Sequence, residues 1–265
     1  MKILELNNVE FHYPGSEFRL ANINLTFNEN DFAFILGPNG SGKSTLFKLI
    51  LGSKKPDKGT IKLKSKNVFE YSDKERAKNI AYVPQSSLTV YPYSIYEIVM
   101  MGRTPYFNFT GFERKRDMEI VDEALETVGL YGLRNKGINE VSGGEAQRAF
   151  IARALAQKSD LILLDEPTAH LDLKHQYSII KLLRKLNEEQ GLTIISIIHD
   201  LNLAGNFNGR AILMKNGKVF ADDKIEKILI SERIKEVFDV DSEVSTKTLD
   251  SGKKIFIHIL DKQKF

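Results

Sequence analysis

The sequence predicts an α/β fold built on a parallel sheet, and three observations predict it. Apolar runs at Phe32–Leu36, 161–164 and 193–198 are continuous and have the length of strands buried on both faces. Segments with apolar residues at helical spacing, at 43–51, 146–157 and 176–189, alternate with those runs, so helices cover the sheet. The 265 residues, 42% hydrophobic and 28% charged, suffice to bury the core of one large domain or two small ones.

Taken in order, residues 2–13 alternate polar and apolar positions, as do 22–27, and read as antiparallel strands with Pro14-Gly15-Ser16 in the turn. The run Phe32–Leu36 stops at Gly37, and a helix over 43–51 carries Leu46, Phe47, Leu49 and Ile50 before Gly52 ends it. Ile80–Val83 is another short buried strand, closed by Pro84. From Ser86 to about Lys136 the texture changes. Tyr91, Tyr93, Tyr96, Tyr106, Phe107, Phe109 and Phe112 crowd into a stretch where the overall aromatic content of 9% predicts about two. An amphipathic helix follows over 118–128 and ends at Gly129. Then come a helix over 146–157, the strand Leu161–Asp165, a helix over 176–189 and a strand over 193–198. Lys215-Asn216-Gly217-Lys218, between two apolar runs, is a hairpin signal. A helix over 224–237 and a hairpin around Asp250-Ser251-Gly252 form a small appendage.

Composition narrows the function. There is no cysteine, which excludes a disulfide framework, a zinc-thiolate site and a cysteine nucleophile. The net charge of +3 is too balanced for a large nucleic-acid patch, so no nucleic-acid partner is expected. No stretch reaches the roughly 18 apolar residues of a membrane span, and the alternating N-terminus with Glu5 is unlike a signal peptide. The expectation is a soluble, intracellular enzyme.

Gly37-Pro38-Asn39-Gly40-Ser41-Gly42-Lys43-Ser44 matches G-x-x-x-x-G-K-[ST] between a predicted strand and a predicted helix. A triphosphate needs many donors close together. Glycines let the backbone wrap it, so the amides from Gly40 to Thr45 can form a nest at a positive helix end. Lys43 would reach the β- and γ-phosphates and Ser44 would offer its hydroxyl to Mg²⁺. A plain glycine-rich turn is the alternative, and a chance match in such a chain is roughly one in a hundred.

A second acidic site ends a buried strand at Asp165-Glu166-Pro167. An acid there stays charged only with a partner, and Asp165 can find one in Mg²⁺, directly or through water. Glu166, aimed elsewhere, is placed to polarise a water attacking the γ-phosphate. A solvated turn or helix cap is the competing explanation.

At Val141-Ser142-Gly143-Gly144-Glu145-Ala146-Gln147-Arg148 the sequence resembles the signature of ABC-type ATPases. The family's other marks follow its order: Pro84-Gln85, Ala169-His170-Leu171-Asp172, and His199 after a buried strand. The resemblance spans roughly residues 2–220. It implies a P-loop (RecA-like) parallel sheet core with an N-terminal antiparallel β subdomain and an α-helical subdomain inserted at about 87–158, followed by an extension over 221–265. It also implies that Tyr13 stacks on adenine, that Gln85 serves the metal and the chemistry, and that His199 joins Glu166 in hydrolysis. Asp172 and Ser142, Gly143 and Gly144 would contact nucleotide.

Ser142 and Glu145 also form a capping box, so Ser142 caps a helix whatever else it does. The capped end can still receive an anion through the Gly143 and Gly144 amides and the helix dipole. In the family that anion is the γ-phosphate of ATP on a second copy, so a homodimer would enclose two ATP. Glu145 stands where the family often has Gln, which places a negative charge near the phosphates. Residues 94–106 and His199-Asp200-Leu201-Asn202-Leu203-Ala204 resemble the ATPase subunits of iron–siderophore, haem and cobalamin importers. Such a subunit works at the cytoplasmic face of the membrane with separate permease subunits and a substrate-binding protein acting through them. The aromatic and Met section would be the docking surface. A soluble ABC-type ATPase acting on ribosome or DNA, and an exporter ATPase, are the alternatives.

Overall fold

The computed structural model describes residues 1–85, 91–107, 115–249 and 252–260. They form two compact units, Met1–Phe69 with Ile195–Phe265, and Glu70–Ile194.

The first unit opens with β1 (Lys2–His12) and β2 (Arg19–Asn28), antiparallel partners as the alternation predicts. Ser16 closes the turn by donating its amide to the Tyr13 carbonyl at 3.0 Å. Leu4, Leu6 and Val9 of β1 and Ile23, Leu25 and Phe27 of β2 are buried. β3 (Phe32–Leu36) is buried along its whole length and leads through the 37–42 loop into α1 (Lys43–Ile50). β4 (Lys58–Leu63) and β5 (Lys66–Asn67) complete an antiparallel sheet of order β2-β1-β4-β5.

In the second unit, α2 (Asp73–Asn79) precedes β6 (Ile80–Val83). α3 (Ile95–Met100), α4 (Lys115–Thr127) and α5 (Gly143–Ala156) follow, then β7 (Leu161–Asp165) and α6 (Leu173–Gln190). β6 and β7 pair in parallel from Ile80↔Leu161 to Val83↔Leu164, which is why both read as uninterrupted apolar runs. Phe109 and Phe112 of the aromatic section lie outside the described residues.

β8 (Thr193–Ile197) carries the chain back to the first unit. There α7 (Leu201–Gly205), β9 (Arg210–Lys215) and β10 (Lys218–Lys224) follow. The strand order in this unit is β10-β9-β3-β8, with β3 and β9 parallel from Ala33↔Arg210 to Leu36↔Leu213. The hairpin between β9 and β10 turns through Asn216 (φ 48°) and Gly217 (φ 72°), the paired left-handed residues that a tight hairpin demands.

The helix expected over 224–237 is instead two, α8 (Ile225–Ile228) and α9 (Ser231–Phe238). On one straight helix of 3.6 residues per turn, the buried Ile225, Ile228 and Leu229 would face away from the buried Ile234 and Val237. The break at Leu229 and Ile230 lets both apolar sets be buried. β11 (Ser242–Leu249) and β12 (Gly252–Ile259) then pair antiparallel from Ser242↔Ile259 to Leu249↔Gly252, and Asp250 and Ser251 of the expected turn lie outside the described residues. This tail packs within the first unit: Asn202 on α7 donates to the Ile257 carbonyl at 3.1 Å and accepts from the Ile257 amide at 2.7 Å.

Gly217 is more than a turn residue. Its carbonyl accepts from Ala21 at 2.9 Å, its amide donates to the Ser41 carbonyl at 3.1 Å, and a Cβ there would overlap the Arg19 carbonyl. Gly217→Ala is expected to cost about 1 to 3 kcal/mol in urea unfolding, while Asn216→Gly stays within about 1 kcal/mol.

Candidate functional site

The 37–42 loop is shaped by two close approaches. Gly37 (φ 148°) lies against the Met214 carbonyl, so a side chain has no room there. Gly42 (φ 104°) is the N-cap of α1 and carries no capping group; a Cβ would meet the Phe18 ring at 2.9 Å. The first amides of α1 therefore lack a side-chain cap and point along the helix axis out of its positive end. Lys43 is only 5% exposed, and its Nζ donates to the carbonyls of Gly37 at 2.8 Å and Pro38 at 2.9 Å. The buried Ser41 Oγ has no hydrogen-bond partner among the described residues. Buried donors of this kind, gathered at a helix start, suit a phosphate chain.

In the same unit, Tyr13 is half-buried. Its ring meets Phe11 edge-on at 4.9 Å, its hydroxyl lies 3.5 Å from Thr45 Oγ1, and Lys54 Nζ sits 6.0 Å over the ring. His199 is exposed just after β8, where the Ile198 amide bonds the Ile35 carbonyl at 3.3 Å. The following Asp200 caps α7 through the Leu203 amide at 2.9 Å.

The second unit holds Gln85, Ser142, Gly143, Gly144, Asp165, Glu166 and Asp172. Asp165 ends β7, is 6% exposed and accepts from the Tyr82 hydroxyl at 3.4 Å. Burial and the neighbouring Asp165 carboxylate push the Tyr82 hydroxyl up to about 12. Glu166 takes a left-handed backbone (φ 51°), an uncommon conformation for this residue type. That geometry brings its Oε2 within 2.6 Å of Gln85 Nε2, so the structure joins two residues far apart in sequence.

Ser142 caps α5 as a full capping box: its amide and hydroxyl both donate to Glu145 Oε2, at 2.8 and 2.7 Å, and the Glu145 amide returns a bond to Ser142 Oγ. These bonds hold the Glu145 carboxyl below the usual carboxylate range. Ser142 and Gly143 are exposed and Gly144 is buried. Asp172 is the N-cap of α6, and its Oδ1 accepts from both the amide and the Nδ1 of His175, each at 2.8 Å.

His175 was missed from sequence, although Asp172-x-x-His175 has the N-cap to N3 spacing that would have flagged it. The role of Gly217 behind the 37–42 loop was missed too, because a hairpin signal says nothing of what the turn touches.

The aromatic section divides. Tyr91 is 66% exposed and Tyr93 is also exposed, with Met101 and Met118 exposed nearby in sequence. Tyr106 is structural: its hydroxyl donates to the Gln157 carbonyl at 3.0 Å and its ring lies 3.9 Å from the Arg103 guanidinium. Among the described residues no helix is long and apolar enough to cross a membrane, and no group of three His, Asp or Glu could hold a metal unaided.

Residues 20–169 match the family model described as ABC transporter. The chain is 36% identical over 256 residues to the petrobactin import ATP-binding protein of Bacillus anthracis, covering 96% of this chain and 94% of that one. It superposes on an inward-facing metal-chelate type ABC transporter with TM-score 0.87 and 30% identity, over 99% of each chain. It also resembles a dimeric ATP-binding cassette in a post-hydrolysis state bound to ADP and Pi, with TM-score 0.72 and 34% identity, over 84% of this chain and 99% of that one.

Tyr82 offers a test of the buried acid. Its hydroxyl keeps its proton in the folded chain up to about 12, whereas the unfolded chain loses it near the ordinary value of 10.0. Stability is therefore flat below the unfolded value and falls as pH rises from there to the folded one. Melting curves of the parent across this window should decline more steeply than those of Tyr82→Phe, which lacks the group.

Proposed function

The chain belongs to the ABC transporter family of ATP-binding, ATP-hydrolysing subunits, and from that premise we propose that it drives uptake of a metal chelate, foremost an iron–siderophore complex, through a separate membrane permease. The observation that carries the ATP-handling part is the buried Lys43 ammonium held by the Gly37 and Pro38 carbonyls at the uncapped start of α1. In this proposal the 40–45 amides and Lys43 hold the phosphates, and Tyr13 offers its ring to adenine. Ser44, Asp165 and Gln85 are hard oxygen donors suited to Mg²⁺, which neutralises phosphate charge when bound.

Glu166 is the group that orients and polarises the attacking water, and Gln85, bonded to it at 2.6 Å, fixes its carboxylate. His199 supports the transferring phosphate. The exposed Ser142 and Gly143 at the start of α5 support a second copy as the source of the other ATP, as does the dimeric cassette it resembles. ATP then favours the closed homodimer, and hydrolysis removes the bridging charge. The exposed Tyr91, Tyr93, Met101 and Met118 support docking on permease subunits at the cytoplasmic face of the membrane, where a substrate-binding protein delivers cargo from the far side. The siderophore assignment is supported by the petrobactin import relative.

Glu166→Gln should bind ATP and accumulate as a dimer by light scattering, without turnover; a variant that stays monomeric in ATP contradicts the paired sites. Purified with its permease, reconstituted and supplied with the substrate-binding protein, the parent should be stimulated by iron–siderophore. Stimulation by haem or cobalamin alone would move the cargo assignment.

A further inference from the structure

The two signature glycines are not glycine for the same reason. A Cβ on Gly143 would meet only Leu171 Cδ2, at 3.4 Å, an ordinary contact. A Cβ on Gly144 would run into the His175 ring, 2.8 Å from Cγ and 3.1 Å from Nε2, with Cδ2 nearer still. Neither glycine has a left-handed φ, so backbone freedom does not demand them. Gly143 is left bare toward the outside of the chain, whereas Gly144 is bare because an imidazole occupies the space.

That imidazole is itself held from its other edge. Asp172 Oδ1 accepts from His175 Nδ1 at 2.8 Å while also capping α6 through the His175 amide. An ordinary Asp cap uses only the amide. The second bond fixes the ring plane and leaves the Cδ2–Nε2 edge against Gly144. The start of α5 and the loop ending at Asp172 thus meet through one rigid, flat side chain.

We propose that His175 is the positioning residue of the 142–144 turn: bonded to Asp172 and seated against Gly144, it sets where the Gly143 and Gly144 amides point, so that turn and the Asp172 loop hold one arrangement. This rests on the proposal that these amides receive phosphate from a second copy. His175 does not touch nucleotide in this scheme and acts through Gly144. A loose seat would scatter the donors without altering the 37–45 loop, so ATP binding by a single copy and ATP-driven pairing should respond differently.

The test has two arms. In the stability arm, Gly144→Ala should lower the melting temperature by about 3 °C or more. Adding His175→Ala should recover most of that loss, and Gly143→Ala should leave the melting temperature unchanged. In the pairing arm, on the Glu166→Gln background, His175→Ala should raise the ATP concentration for half-dimerisation about tenfold. ATP affinity measured at protein concentrations too low for pairing should not change. His175→Asn, whose amide can take the place of Nδ1 toward Asp172, should recover part of the pairing. Dimerisation of His175→Ala at the parental ATP concentration would overturn the proposal. So would a Gly144→Ala defect that persists without the ring, whether or not the protein dimerises. A Glu166→Gln parent that never pairs would instead contradict the function proposed above, and the stability arm would still decide whether His175 is the seat.

Discussion

The constraint on which the first unit's site depends is the polarity of the 37–42 loop. Three of its carbonyls are taken up from within the chain: Lys43 Nζ bonds those of Gly37 and Pro38, and the Gly217 amide bonds that of Ser41. With acceptors engaged in this way, the loop and the uncapped start of α1 present donors. Burying an ammonium costs several kcal/mol unless polar groups surround it. The same lysine therefore explains the loop's shape and its preference for anions. Gly37 against Met214 and Gly42 against Phe18 supply the close backbone approaches the shape requires.

The second unit arranges acids rather than amides. Asp165 is buried at the end of β7 with Tyr82 beside it, while Glu166, one residue on, turns away through a left-handed backbone to reach Gln85. Two adjacent carboxylates are thereby given different surroundings, which is the condition for separate roles in binding a cation and handling a water. The start of α5 is a further, independent device. Glu145 accepts the hydrogen bond of the Ser142 hydroxyl, so in this conformation the serine serves its own helix, and the exposed Gly143 and the helix dipole are what the helix start turns outward.

Much of this was legible because it depends on local chemistry. The runs Phe32–Leu36, Ile80–Val83 and Leu161–Asp165 are strands with the limits expected, since burial on both faces leaves no polar position to blur their ends. The Asn216-Gly217 hairpin and the Ser142-x-x-Glu145 cap follow from backbone geometry and spacing alone. Two local patterns were missed, and what else escaped depends on distance in sequence. β4, with Ile61 and Leu63 buried, was passed over, although Thr60-Ile61-Lys62-Leu63 alternates and ends at the left-handed Lys64 and Ser65. The single helix expected over 224–237 overlooked the angular placement of Ile225 against Ile234, which argues for two. The bond from Gln85 to Glu166, the Tyr82 neighbour of Asp165 and the seat of Gly144 on His175 join positions no periodicity connects.

The central claim, that the donors of the 37–45 loop grip the phosphates of a nucleotide, is tested most directly by comparing ATP with adenosine in calorimetric titrations of the parent and Lys43→Ala. The account predicts that the parent binds ATP far more tightly than adenosine, and that the variant loses more than about tenfold in ATP affinity with adenosine binding unaltered. Equal ATP affinity in parent and variant would contradict it.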